Sequence, residues 1–91
     1  MKLRLIGVRG DDQFVFSEDH PDVVAQVAPN GAFRIARTGT VAAHLGPQIT
    51  PAAPGTRLYD VPGLAGKLAK ADEIFNRPGG APIWLTPDDL R

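Results

Sequence analysis

Two histidines and a group of neighbouring polar residues are the side chains whose types could support catalysis. His20 and His44 lie 24 positions apart, and neither has a second ligand at the spacing of a metal site. Ser17, Glu18, Asp19 and His20 include the residue types of a hydrolase triad. Neighbours on one extended connector cannot converge on a substrate, however, because the triad needs partners brought together by the fold. We therefore predict that the protein is not an enzyme.

The acidic residues between positions 11 and 22 could supply oxygen ligands to a hard cation. Their spacing fits no calcium-binding loop, and aspartates are common in hairpin turns. The chain contains no cysteine, which excludes thiolate metal sites and disulfide scaffolds. We expect neither a metal nor a cofactor. The acidic residues concerned are Asp11, Asp12, Glu18, Asp19 and Asp22.

Length and charge favour a small neutral domain. The 91 residues fit one domain spanning positions 1–91, and ten basic residues balance ten acidic ones. A neutral chain is not strongly attracted to nucleic acid or to a membrane surface. The first apolar run ends at Gly7 and is too short for a signal peptide or a membrane span. We expect a cytoplasmic protein, or a part of a particle assembled in the cytoplasm.

Residues 22–37 carry the strongest structural signal, a β-hairpin around Pro29, Asn30 and Gly31. A three-residue loop with Gly31 in the left-handed conformation pairs Val27 with Phe33, Ala25 with Ile35 and Gln26 with Arg34. A two-residue loop would mix polar and apolar residues on both faces. We predict the first register, which places one apolar face toward a core. That face contains Val23, Ala25, Val27, Phe33 and Ile35.

A second hairpin is predicted over residues 2–17, with its turn at positions 9–12. Pairing Val8 with Gln13 sets Leu5 opposite Phe16. This register predicts one apolar face made of Leu3, Leu5, Phe14 and Phe16.

Residues 64–77 form the clearest helix pattern, with apolar side chains at Leu64, Leu68, Ala71 and Phe75. This stripe is expected to cover the apolar face of the hairpins. The predicted fold is α+β: a small, mostly antiparallel sheet or partial barrel built from two hairpins and short later strands, with this helix packed on one face.

The segment between positions 38 and 63 is interrupted by glycines and prolines and is expected to be irregular. Within it, residues 40–46 predict a short helix capped by Thr40, and residues 56–61 predict a short strand. A broken segment of this length is unusual in a small domain unless it has a function or is held by a partner. Near the end of the chain, residues 83–85 predict a short strand, and residues 86–89 have the cap, proline and acids of a helix start.

Residues 28–60, about a third of the chain, resemble the swapped-hairpin fold of AbrB-type regulators and antitoxins. The similar segments are APNGAFRIAR, TVAAHLG and TPAAPGTRLYD. That family has a glycine turn, a strand, a short helix ending in Leu-Gly, and a strand entered through Pro-Gly. Here the family's Ile-Pro and the basic residues of its short helix are missing. The resemblance implies a dimeric DNA-binding protein in which Arg34 and Arg37 contact phosphates.

The function we expect from the sequence is non-enzymatic. It is that of a structural or adaptor subunit that docks into a larger assembly, such as a virion or another multi-copy particle. The partners would be other protein subunits, copies of the same chain included. The alternative is the small DNA-binding regulator or antitoxin of AbrB-like type. Trp84 could equally close the core or anchor a partner. The candidate partner-binding residues are Trp84, Tyr59, Arg57 and Ile49.

Overall fold

The computed structural model describes residues 2–79 and 82–91 and shows a small α+β domain. Its centre is a four-stranded antiparallel sheet in which the strands lie in chain order. Two helices pack against this sheet, and two single 3-10 turns follow at Gly46–Gln48 and Pro87–Leu90. The strands are β1 (Leu3–Arg9), β2 (Asp12–Ser17), β3 (His20–Val27) and β4 (Phe33–Arg37), and the helices are α1 (Thr38–Leu45) and α2 (Leu64–Phe75).

The central hairpin has the predicted register. Val27 pairs with Phe33 and Ala25 with Ile35. In the loop, the Gly31 amide donates a hydrogen bond to the Ala28 carbonyl at 2.9 Å, and Gly31 has a φ of 87°. This positive φ is the conformation that a glycine at the end of a three-residue loop provides.

The register of the first hairpin differs from the prediction. Val8 pairs with Gln13 as expected, but an irregularity between Leu5 and Gly7 sets Leu5 opposite Val15 instead of Phe16. The extra residue is Ile6, so the strand changes its facing side at that point. As a result Leu3 and Leu5 lie on one face of the sheet and Phe14 is buried on the other, and the prediction that they share a face was wrong.

Helix α2 covers the face of the sheet that we call face A. Its buried side chains are the four predicted ones, and they contact the apolar side chains of β2, β3 and β4. The helix ends at Phe75, two residues before the predicted end. The sheet residues of this core are Val15, Val23, Ala25, Val27 and Ile35.

The opposite face, which we call face B, is also covered. Val41 of helix α1 packs into a second apolar cluster on this face. Because of this second cluster, the side chains of β3 are buried on both faces of the sheet. The sequence pattern predicted one buried face only. Helix α1 also begins at Thr38, directly after β4, so Thr40 lies inside the helix and does not cap it. The buried residues of this second cluster are Phe14, Val24, Ala36 and Val41.

Residues 56–61 do not form the predicted strand. The side chain of Gln13 holds them in place of a strand partner: its Nε2 donates to the Arg57 carbonyl at 2.7 Å, and its Oε1 accepts from the Tyr59 amide at 2.8 Å. Gln13 is buried. A primary amide offers the same donor and acceptor as a peptide group, so one side chain replaces two ladder bonds.

Single residues from irregular segments pair with both edge strands. Thr50 exchanges backbone hydrogen bonds with Val8 of β1, and Leu85 does the same with Ile35 of β4. The predicted strand at 83–85 is therefore reduced to one bridging residue. The helix start predicted at 86–89 is confirmed as a 3-10 turn, whose cap is the reciprocal pairing of Thr86 with Asp89.

Candidate functional site

The outer side of α1 on face B is exposed and carries no charged side chain. Between positions 38 and 56 the chain contains no lysine, arginine, aspartate or glutamate. Val41 lies on the inner side of α1 and packs against the sheet. Ala42, Ala43 and His44 form the exposed side of the helix. An outer helix side without charges is unusual, because a solvated helix face normally carries them.

Two apolar clefts flank α1. The cleft on the β1 side, which we call the Ile6 cleft, has a volume of about 300 Å³ and is lined by Ile6, Phe14, Val41 and Ile49, among others. The cleft on the β4 side, the Ile83 cleft, has a volume of about 190 Å³ and is lined by Val41, Leu45, Ile83 and Trp84 with polar neighbours. Val41, which is buried beneath α1, contributes to both clefts, so the two clefts lie on either side of the same helix.

An exposed isoleucine lies at the margin of each cleft. Ile83 is 62% exposed and Ile6 is 44% exposed, and among the described residues they are the large apolar side chains most open to solvent. Ile6 is the extra residue of the β1 bulge, and its side chain is exposed to solvent at this position. Together the two isoleucines extend the apolar surface of α1 in both directions.

A row of polar side chains crosses face B beside this surface, at the end of the sheet that carries both hairpin turns. Gln26 Nε2 donates to Asp12 Oδ2 at 2.8 Å, and Arg34 Nε donates to Gln26 Oε1 at 3.1 Å. Arg9 Nε donates to Gln48 Oε1 at 2.7 Å. These strand residues line an open cleft of about 500 Å³, which we call the arginine cleft; its lining includes Arg9, Asp12, Gln26, Arg34, Thr86 and Pro87.

Trp84 is half-buried and lies beneath the guanidinium of Arg34. The Arg34 Cζ is 3.7 Å from the centroid of the indole ring, a close cation–π contact. The ring also packs against the apolar cluster of face B. Trp84 thus supports the sheet and orients an arginine, in addition to lining the Ile83 cleft.

The structure does not bring Arg34 and Arg37 together. Residues three positions apart on a strand lie on opposite faces, and Arg37 lies on face A, where its guanidinium donates to the Phe75 carbonyl. The arginine that shares a cleft with Arg34 is Arg9. Sequence reasoning missed Arg9, although two hairpins joined by a short connector place both of their turns at one end of the sheet.

The candidate partner-binding residues also divide between the faces. Ile49 and Trp84 contact the face B cluster. Tyr59 packs against the face A core, and its hydroxyl donates to the Asp11 carbonyl at 2.6 Å. Arg57 is exposed, and its backbone carbonyl is held by Gln13. Within the part of the chain that the structure describes, face B is therefore the side that combines predicted contact residues with an exposed apolar surface.

The residues first considered for chemistry lie apart from one another. His20 Nδ1 lies 3.0 Å from Asp72 Oδ2 of α2, which links β3 to the helix. Glu18 pairs with Arg4 across the first hairpin, and this hydrogen bond lowers the pKa of the Glu18 carboxyl. Across residues 2–79 and 82–91, no cluster of three or more His, Asp or Glu side chains is arranged to hold a metal ion. The same residues include no helix long and apolar enough to cross a membrane.

Similarity to known proteins does not identify this surface. No protein-family model, curated protein or solved structure is significantly similar to the chain. The second strand that the resemblance to AbrB-type regulators implies is also missing, since residues 56–61 form none. The functional argument therefore depends on the geometry of face B.

Proposed function

We propose that the protein is a non-enzymatic structural or adaptor subunit of a larger protein assembly, such as a virion or another multi-copy particle. It docks through face B, with α1 at the centre of the contact. The observation that supports this proposal is the exposed, uncharged outer side of α1 together with the two apolar clefts beside it and the exposed Ile6 and Ile83. Apolar patches of this kind on small proteins mark interaction sites.

The occupant we propose is another protein subunit that presents an apolar surface bordered by an acidic side chain. The reason is charge complementarity, because Arg34 lines both the Ile83 cleft and the arginine cleft and so places a positive charge at the border of the apolar surface. Interfaces commonly combine an apolar centre with a polar rim. A second copy of the chain is the competing occupant, and the experiment below distinguishes the two.

The test is a charge placed at the centre of the surface. Ala43 is exposed on α1, so Ala43→Glu leaves the core intact and puts a carboxylate where the partner would pack. The matched control is Gly66→Glu on α2, where an added side chain also meets open space. Tagged wild-type and variant chains would be isolated from the source cells, their co-purifying proteins identified by mass spectrometry, and the solution mass of the purified chains measured.

We expect a defined subunit to co-purify with the wild type and with Gly66→Glu, and to be lost with Ala43→Glu. The proposal would be contradicted if the wild-type chain is a monomer and if the same proteins co-purify with the wild type and with Ala43→Glu. A dimer that Ala43→Glu converts to a monomer would replace the separate subunit with a second copy.

The alternative function, a small DNA-binding regulator of AbrB-like type, has one favourable observation: Arg34 and Arg9 line a common cleft. It is weakened because Arg37 lies on the other face. This function requires binding to duplex DNA that falls steeply with salt and is lost in Arg34→Ala. Absence of any salt-dependent binding would remove it.

A further inference from the structure

The arginine cleft has the features of a site for one negatively charged planar group. We propose that it binds a carboxylate of an acidic peptide segment on the partner subunit, with the guanidinium of Arg34 as the anchor. This inference rests on the proposed function, because the carboxylate belongs to the docked subunit. The proposed function leaves open which group of the partner enters the arginine cleft, and this inference identifies that group as a carboxylate.

Arg34 is oriented from two sides. The Trp84 ring lies under the plane of its guanidinium, and Gln26 Oε1 accepts the hydrogen bond of its Nε. Among residues 2–79 and 82–91, no oxygen accepts a hydrogen bond from its two terminal amino groups. The terminal groups of an arginine form a planar fork that matches the two oxygens of a carboxylate.

Gln26 fixes this geometry from within the sheet. Its side chain is buried, and both ends of its amide are used, since Nε2 donates to Asp12 while Oε1 accepts from Arg34. The chain from Asp12 through Gln26 to Arg34 therefore holds the guanidinium before any ligand arrives. A group held in its bound orientation loses little conformational freedom on binding, which favours affinity.

The charges of the cleft favour a single carboxylate over a nucleic-acid backbone. Arg9 and Arg34 supply two positive charges and Asp12 one negative charge. A run of phosphates passing through the cleft would bring several negative charges near Asp12, whereas one carboxylate bound to Arg34 would meet this repulsion only once. The neighbouring apolar surface also suits a protein better than a polyanion, since nucleic-acid interfaces are strongly positive.

Trp84, the single tryptophan of the chain, reports on the cleft through its contact with the Arg34 guanidinium. The probe is a tetraglutamate peptide blocked at both ends, titrated into the full chain while the NMR signals of the Trp84 indole N–H and the Arg34 Nε–H are recorded. A blocked tetraglutamine peptide is the uncharged control. We expect saturable shifts of both signals with tetraglutamate and none with tetraglutamine.

Three substitutions define the site. Arg34→Gln should weaken peptide binding at least about tenfold, because a charge-assisted bidentate contact is lost. Arg77→Gln, which removes an equal charge at an exposed position beyond the end of α2, should leave it unchanged. Asp12→Asn keeps an oxygen for Gln26 but removes the only negative charge of the cleft, so it should tighten binding several-fold by removing repulsion.

Equal weakening by Arg34→Gln and Arg77→Gln, or weaker binding by Asp12→Asn, would overturn the inference. So would tighter binding of duplex DNA or inorganic phosphate at the same two signals. The proposed function fails separately: if peptide binding is absent while Ala43→Glu still abolishes docking, the subunit role stands and the carboxylate site does not.

Discussion

Arg37 at the end of β4 holds the C-terminus of α2 against the sheet. Its guanidinium lies 4.8 Å from the centroid of the Phe75 ring and donates a hydrogen bond to the Phe75 carbonyl. Phe75 is the last residue of α2, so this carbonyl has no partner within the helix. One side chain thereby satisfies a helix end and joins it to a strand.

Arg37→Ala should destabilise the protein by about 1.5 kcal/mol, the lower end of the range for a hydrogen bond made by a charged group, because Arg37 is exposed. Arg37→Lys keeps the charge near the helix C-terminus and should recover part of this loss. Chemical denaturation checks both, with Arg57→Ala as the exposed control. A loss no greater than that of the control would show that the contact contributes nothing to stability.

Gly7→Ala should be strongly unfavourable. A Cβ at this position would lie 2.6 Å from the Thr50 carbonyl oxygen and 2.7 Å from Ile49 Cγ2. Segment 49–50 would have to move, at a cost of about 1–3 kcal/mol, the usual range for overpacking. Hydrogen exchange of the Thr50 amide, which donates to Val8, would report the movement directly.

The matched change is Gly66→Ala. Gly66 lies in α2, and a Cβ added there would meet open space. Alanine should therefore stabilise the helix by about 0.5–1 kcal/mol. We expect the change in the free energy of unfolding to have opposite signs for the two substitutions, with Gly7→Ala destabilising and Gly66→Ala stabilising. A neutral Gly7→Ala with an unchanged Thr50 exchange rate would refute the close approach of segment 49–50 to β1.

Gln13→Leu should loosen residues 57–59 while the apolar core stays packed. Leucine has about the size of glutamine but leaves the Arg57 carbonyl and Tyr59 amide without their partner, which costs about 1–3 kcal/mol for buried groups. The Tyr59 amide should lose its protection from hydrogen exchange. Tyr59→Phe removes only the hydroxyl bond to Asp11, so the Tyr59 amide should remain protected in that control.

The turn at the end of the chain should open in acid. The Thr86 amide and hydroxyl both donate to Asp89, and these bonds hold the pKa of the Asp89 carboxyl below its ordinary value of 3.8. Because the folded pKa is lowered, this pairing stabilises the folded state above the ordinary pKa and is lost as the pH falls through the folded pKa. The Thr86 amide NMR signal should titrate in that acidic range. The titration should disappear in Asp89→Asn, and an apparent pKa at or above the ordinary value would contradict the pairing.

Local sequence signals predicted those parts of the fold that local interactions determine. The glycine turn at position 31 fixed the register of the central hairpin, because a slip would have exposed its apolar face. The spacing of Leu64 and Phe75 identified the buried side of α2. The pattern of Thr86 and Asp89 identified the final turn.

Features that depend on contacts between distant segments escaped prediction. The bulge at Ile6 lies beside Gly7, where segment 49–50 passes close to β1, and no local pattern encodes this approach. The burial of Gln13 depends on a loop more than forty residues away. The arginine cleft needed a further step, since Arg9 and Arg34 share it only because the two hairpins lie side by side in one sheet with both of their turns at the same end. The separation of Arg34 from Arg37, by contrast, could have been deduced from strand alternation alone.

The two single-residue bridges at Val8 and Ile35 affect how copies of this protein could associate. An open sheet edge with an unbroken row of amide and carbonyl groups invites strand-by-strand growth into fibrils. Here Thr50 already occupies the backbone groups near one end of β1, next to a bulge, and Leu85 occupies those in the middle of β4. Neither edge offers a continuous template, so a crowded multi-copy particle could concentrate this chain without promoting its polymerisation through the sheet.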